Sequence, residues 1–271
     1  MNSLLRTEWL KIKKYRAFWW LTAVTALSYP GINYIFFNVY EKLISRADTA
    51  GKIAKMYIGN PFTFPEVWHT VAYFSSWFVF IPAVLIIMFI TNEYTFKTHR
   101  QNIIDGWSRS QFMTAKMLNV LITSIVITVI FAIVAVVIGY VNAEGQPVSP
   151  WKLTDYIGLF ALQTFSQLSF AFLVGFLIRK AFISLGIFIF YFIIVENLLV
   201  GLARVHANDI GEYLPLEISD RLIPIPAFLG KMDKDAYARW MSQIQPHIFY
   251  TILLTALIWL LCYWINKRRD L

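Results

Sequence analysis

The sequence predicts an all-α, polytopic membrane protein, and three observations lead there. Of 271 residues, 58% are hydrophobic and only 15% charged, against about 45–50% and about 25% in soluble domains; so few charges cannot cover a soluble surface. Several uncharged apolar runs reach the roughly 20 residues that cross a bilayer as a helix. These runs are continuous rather than alternating at ten-residue intervals, which argues against a transmembrane barrel.

Taken in order, residues 1–16 carry Leu5, Trp9 and Ile12 at i, i+4 and i+7, with Lys11, Lys13 and Lys14 elsewhere around the wheel. That pattern predicts a short helix lying in the membrane interface. The run 18–40 is longer than the roughly 7–15 residues of a signal-peptide core and reads as an uncleaved first span, with Pro30 expected to kink it. A loop ending in Pro61 and Pro65 precedes a second span at about 68–91, which contains Pro82. The stretch 92–116 is too polar for lipid. The third span, about 119–141, has no charge; a loop with Pro147 and Pro150 separates it from the fourth, about 155–178. After the corner Arg179-Lys180 comes the fifth span, about 181–203, then a long polar segment 204–246 and a sixth span at about 247–265. The whole chain reads as one transmembrane domain.

Six spans put both termini on one side, and charge says which. That side carries Arg6, Lys11, Lys13, Lys14, Arg16, Lys97, Arg100, Arg109, Lys116, Arg179, Lys180, Lys267, Arg268 and Arg269, against the acids Glu8, Glu93, Asp105 and Asp270. The positive-inside rule therefore predicts both termini and 92–116 in the cytoplasm. The same rule accounts for the net charge of +8 without nucleic acid. With one cysteine, Cys262, neither a disulfide nor a Cys-based metal site can form within the chain.

No G-x-x-x-x-G-K-[ST], H-E-x-x-H or G-x-S-x-G occurs, and His69, His99, His206 and His247 lack metal-ligand spacing. An enzymatic role, a metal and a nucleotide cofactor bound by this chain are thus disfavoured. Two places inside spans hold polar groups. Glu196 costs about 2.5–3.5 kcal/mol near a bilayer centre and should face protein or water; it is either a substrate- or proton-linked acid or a hydrogen-bonded acid that stitches helices together, with Asn197 helping. Gln163 and Gln167 share a face at i, i+4 and either line a pathway or act as interhelical glue. The run 222–229 is apolar but too short and proline-rich to span; it is a re-entrant lid or an ordinary loop.

Within 92–116, the helix leaving the second span is expected to continue to Ile103-Ile104. Gly106 supplies the left-handed residue that ends it, and Ser108 with Gln111 has capping-box spacing for the next helix. Trp107 and Phe112 are available as anchors beside the turn. The stretch resembles the cytoplasmic signature of the type-2 ATP-binding-cassette (ABC) transporter permeases, a family that includes bacitracin- and lantibiotic-resistance permeases. Glu93, Thr98, Gly106, Ser108-Arg109, Phe112 and Lys116 stand at the places of that motif. Two positions depart from it: Phe96 stands where many members have glycine, and Trp107 where proline or a small apolar residue is common. The opening twenty residues are similar to the family's N-terminal connecting helix.

What the resemblance implies is a half-transporter in the bacterial cytoplasmic (inner) membrane. It would pair with a second permease subunit, identical or related, and each would dock on a separate cytoplasmic ATPase that uses ATP and Mg. The expected docking residues are Glu93, Thr98, Arg100, Asp105, Gly106, Trp107, Ser108, Arg109, Phe112 and Lys116; the expected pathway residues are Gln163, Gln167, Glu196 and Asn197. Export is the expected direction. The alternatives are an ABC-like module that transmits force without transport, and an ATP-independent secondary carrier using Glu196.

Overall fold

The computed structural model describes residues 10, 13–45, 59–143, 149–206, 210–230 and 233–268. The predicted interfacial helix, with Leu5, Trp9 and Ile12, lies almost wholly outside the described residues, as does most of the first loop. Among the described residues every regular element is helical: α1 (Arg16–Ile44), α2 (Val67–Ser76), α3 (Phe80–Thr95), α4 (Thr98–Ile104), α5 (Arg109–Val141), α6 (Asp155–Ile178) and α7 (Ala181–Phe190). A π turn, Tyr191–Val195, joins α7 to α8 (Glu196–His206). A 3₁₀ turn (Ile210–Tyr213), α9 (Glu217–Asp220), α10 (Ala227–Gly230) and α11 (Lys234–Arg268) complete the chain.

Among the described residues, four helices are long and apolar enough to cross a membrane: Arg109–Val141, Asp155–Ile178, Ala181–His206 and Lys234–Arg268. The pair α2 and α3, bent by 49° at its break, makes a fifth if taken as one span. The bend has a cause in sequence. Pro82 has no N–H to give the carbonyl four residues back, and its ring crowds that carbonyl, so the helix is interrupted at 77–79. The expected first span, α1, is one helix of 29 residues unbroken across Pro30. With Tyr29, Pro30, Gly31, Asn33 and Asn38 in its middle it does not reach the apolarity of the other five.

Two helices run beyond their expected spans. Helix α5 starts at Arg109, where the Ser108–Gln111 spacing places a helix start, and runs on unbroken through the third span, while the helix of the sixth starts at Lys234, so that Pro246 lies inside α11. Hydropathy marks where lipid ends, whereas a helix continues as long as its backbone ladder is satisfied. At 1.5 Å per residue, the 33 residues of α5 extend about 50 Å, well beyond a hydrocarbon core of about 30 Å.

Helix α6 is the centre of the bundle, packed by α2, α3, α5, α7 and α11. Its polar side faces protein, not lipid: Gln163, Thr164, Ser166, Gln167 and Ser169 are all buried. Ser169 Oγ accepts from Trp259 Nε1 at 3.0 Å, and Ser124 Oγ donates to the Ala161 carbonyl at 3.1 Å. Phe172 stacks on Trp259 with centroids 4.8 Å apart. Gly175 lets α6 and α3 approach closely, since a Cβ there would stand 2.6 Å from Ile90 Cγ2. Gly175→Val therefore overpacks the α3–α6 contact, an effect of about 1–3 kcal/mol; a drop of several degrees in the melting temperature of the detergent-purified chain is the expected result.

Candidate functional site

One end of the bundle gathers basic residues. The carboxyl end of α3, all of α4, the start of α5 and the ends of α6 and α11 meet there. Arg179, after α6, lies over the Tyr94 ring at 4.4 Å, and Tyr15, before α1, accepts a hydrogen bond from Asn92 at 3.0 Å.

The stretch 92–116 forms the expected bent pair, with one difference. Helix α3 does not run on to Ile103-Ile104; it stops at Thr95, and Lys97 takes a left-handed φ of 54° before α4 begins. Glu93 explains the early break. Its carboxylate is buried, pairs with Lys116 Nζ of α5, and accepts from Thr98 Oγ1 at 2.6 Å. Its backbone carbonyl lies 3.0 Å from His99 Nδ1. Folding back to make these bonds requires a turn between Glu93 and Thr98.

The rest follows the sequence. Gly106 has φ +98°, a left-handed conformation that a side chain strains. Ser108 caps α5, with Gln111 N donating to Ser108 Oγ at 3.1 Å and Ser108 N donating to Gln111 Oε1 at 2.8 Å. Arg109 turns inward as a clasp: its guanidinium donates to the carbonyls of Asn266 and Lys267 at the end of α11, while Asn266 Nδ2 donates to the Arg109 carbonyl at 2.8 Å.

The ten residues expected to form a docking surface therefore divide. Glu93, Thr98 and Lys116 form an internal lock, and Arg109 ties α5 to α11. Phe112, expected as a surface anchor, is buried in the core, beneath Lys116; Trp107 packs half-buried against the same core. Arg100, Asp105, Gly106 and Ser108 are exposed. Sequence reasoning missed two apolar side chains that 92–116 presents, Phe96 at 71% and Ile104 at 78% exposed.

Toward the other end, the segment 210–230 packs into the bundle against α6 and α8. Pro215, Pro224 and Pro226 keep it from forming long helices, so its backbone groups need partners from elsewhere. Glu196 Oε1 accepts from the N–H groups of Leu216 and Glu217, each at 2.7 Å. His69 Nε2 meets the Pro224 carbonyl at 2.7 Å, and Thr251 Oγ1 donates to the Ile218 carbonyl at 3.4 Å. Gln163 Nε2 and Gln167 Nε2 both donate to Asp220 Oδ1, at 2.7 and 2.6 Å. These glutamines stand eight and twelve residues along α6, about 12 and 18 Å from its start, so Asp220 lies level with the middle of that helix.

Three of the four expected pathway residues thus converge on one segment. Glu196 holds the backbone of Leu216 and Glu217 through Oε1, and Asn197 takes no part in that contact: its amide donates to the carbonyls of Phe192 and Ile193 within the π turn. Such a turn leaves carbonyls short of partners, and π turns recur at functional sites. Asn197 instead lines a cavity of about 540 Å³, together with Glu196 and Asp220. A second cavity of about 300 Å³ shares Tyr73, Glu217, Asp220 and Ile223 with the first. Among the described residues, no group of three metal-binding side chains occurs.

Removing one partner of a buried ion pair leaves an uncompensated charge, at about 3–5 kcal/mol. Lys116→Met is accordingly expected to lower the thermal stability of the purified chain more than the double change Glu93→Met with Lys116→Met, which removes both charges.

A comparison with curated proteins gave no match. The profile of one family, described as "Protein of unknown function (DUF2705)", matches residues 53–271, a range that takes in both the clasp and the cavity. On that match, over most of its length, the chain belongs to the DUF2705 family.

Proposed function

We propose that this chain is the membrane-spanning permease subunit of an ABC-type exporter, in which 92–116 is the contact for a separate cytoplasmic ATPase. In this reading α1 is a first span beside the five apolar ones, both termini are cytoplasmic, and the membrane is the bacterial inner membrane. ATP and Mg belong to the ATPase, and a second permease subunit completes the assembly. The observation that carries the reading is the clasp. An element that receives force from a partner must be joined stiffly to the spans it moves, and the Glu93–Lys116–Thr98 lock, the Ser108–Gln111 cap and the Arg109–Asn266 tie join 92–116 to α3, α5 and α11. On that rigid support, Phe96 and Ile104 offer apolar contact area beside the exposed Arg100 and Asp105.

A secondary carrier working through Glu196 is the weaker reading, because one oxygen of that carboxyl is already held by the backbone of Leu216 and Glu217. The experiment co-expresses this chain with a candidate ABC ATPase and first selects one that co-purifies with the unaltered chain. Ile104→Asp and Gly106→Pro should insert normally but lose co-purification and stimulation of that ATPase; undiminished stimulation by both variants would sink the docking reading. For the topology, a membrane-impermeant thiol reagent applied to intact cells should label Ser242→Cys and leave Ile104→Cys unlabelled until the cells are opened. The reverse pattern would invert the arrangement.

A further inference from the structure

The larger cavity has a chemistry of its own. Its described lining includes the carboxyl groups of Glu196, Glu217 and Asp220 and no Lys, Arg or His. Glu217 pairs with Arg221, whose Nε lies 3.0 Å from Glu217 Oε1 and whose Nη1 lies 3.2 Å from Glu212 Oε2. Glu196 and Asp220 form no ion pair among the described residues. Glu196 is only 4% exposed, and its second oxygen, Oε2, has no donor in good hydrogen-bond geometry, the Tyr191 hydroxyl being the polar group beside it. Asp220 uses Oδ1 for the two glutamines and is exposed to the cavity. A buried carboxyl oxygen left without a partner costs about 1–3 kcal/mol, more when charged. Something that brings positive charge or a donor into the cavity would recover that cost.

The remaining walls narrow down what that is. Tyr73, Trp77 and Phe192 line the same space, and Trp77, in the break between α2 and α3, is 45% exposed. Aromatic faces attract cations and also cover apolar bodies. A volume of about 540 Å³ lies within the roughly 300–1,000 Å³ of small-molecule sites and is far too large for a bare ion. We infer that this cavity binds an organic cation: an ammonium-type charge held between Glu196 and Asp220, carried on an apolar body that rests against Tyr73, Trp77 and Phe192. This deepens the permease reading and rests on it for a route to the site, but binding itself needs no ATPase.

The test therefore leaves the ATPase out, using the full chain in phosphatidylglycerol nanodiscs. Tetraphenylphosphonium and tetraphenylborate have the same shape and opposite charge. Saturable binding of the cation and none of the anion is expected. Glu196→Gln and Asp220→Asn keep the shape and the accepting oxygens, so each should weaken the cation about tenfold, or 1.4 kcal/mol. Equal binding of both probes, or unchanged cation affinity in both variants, overturns the inference.

A second measurement stands even if a variant folds poorly or the probe is badly chosen. The native cysteine, Cys262, is buried, so Asn197→Cys places a single reactive thiol in the cavity. Relative to a free thiol, a cationic methanethiosulfonate should modify it about tenfold faster than an anionic one, because a carboxylate-lined cleft concentrates cations. Adding Asp220→Asn should remove the preference, and no preference at the outset counts against the site. Substituting phosphatidylethanolamine into the nanodiscs identifies the source. Displacement of the probe assigns the site to an aminolipid headgroup, and retention assigns it to a free amine. A failed docking experiment with intact cation binding would remove the ATPase and keep the site; the opposite result would do the reverse.

Discussion

In apolar surroundings a backbone N–H or C=O without a partner costs several kcal/mol, and this constraint decides where the chain can leave the helix. At four of the described places where it does so, within or beside the bundle, a side chain stands in for the missing ladder. At the α3–α4 break Thr98 and His99 return to Glu93. At the π turn Asn197 takes the carbonyls of Phe192 and Ile193. Before α5, Ser108 and Gln111 exchange bonds. The segment 210–230 needs the most help, drawing on Glu196, His69, Thr251 and the two glutamines of α6. These polar residues serve the irregular segments, whereas Thr25, Thr91, Thr123, Thr128, Ser184 and Thr255 bond helix carbonyls four residues back. The cavity forms beside the segment because a turn-rich chain fills space less completely than a helix.

How far the sequence revealed this follows the same physics. The five apolar helices were legible because hydropathy is a sum over many residues and tolerates local exceptions. The capping box at Ser108 and the turn at Gly106 were legible because they are local, needing only residues three apart or a single left-handed glycine. The break at Lys97 was not. It depends on Glu93 meeting Lys116, 23 positions away in the chain, and no local pattern marks that pairing. Asp220 was invisible for the same reason: it belongs to a polar segment in sequence, and only the packing of 210–230 brings it to Gln163 and Gln167. Phe112 was assigned to the surface because it neighbours polar residues, but helical periodicity turns it inward, beside Met113 and Ala115.

The two ends of the molecule also differ in what holds them. At the basic end the ties are charged or bidentate and link helices to one another. At the cavity they link helices to an irregular segment, with the Leu216 and Glu217 N–H groups sharing Glu196 Oε1 and both glutamine amides of α6 sharing Asp220 Oδ1.

The unequal straightness of α5 and the α2–α3 pair has a mechanical consequence. Both leave the clasp side by side, but α5 is one unbroken rod of 33 residues, while its neighbour is jointed at 77–79. Tilting a rod of that length by 10° about its midpoint swings each tip by about 4 Å. A jointed neighbour tied to the same base cannot follow such a swing rigidly; the difference is taken up at the joint. Trp77 sits in that joint and in the cavity wall, so a rotation imposed at Ser108 would be converted, some 25–30 Å away by the same rise per residue, into a change of shape around Glu196 and Asp220.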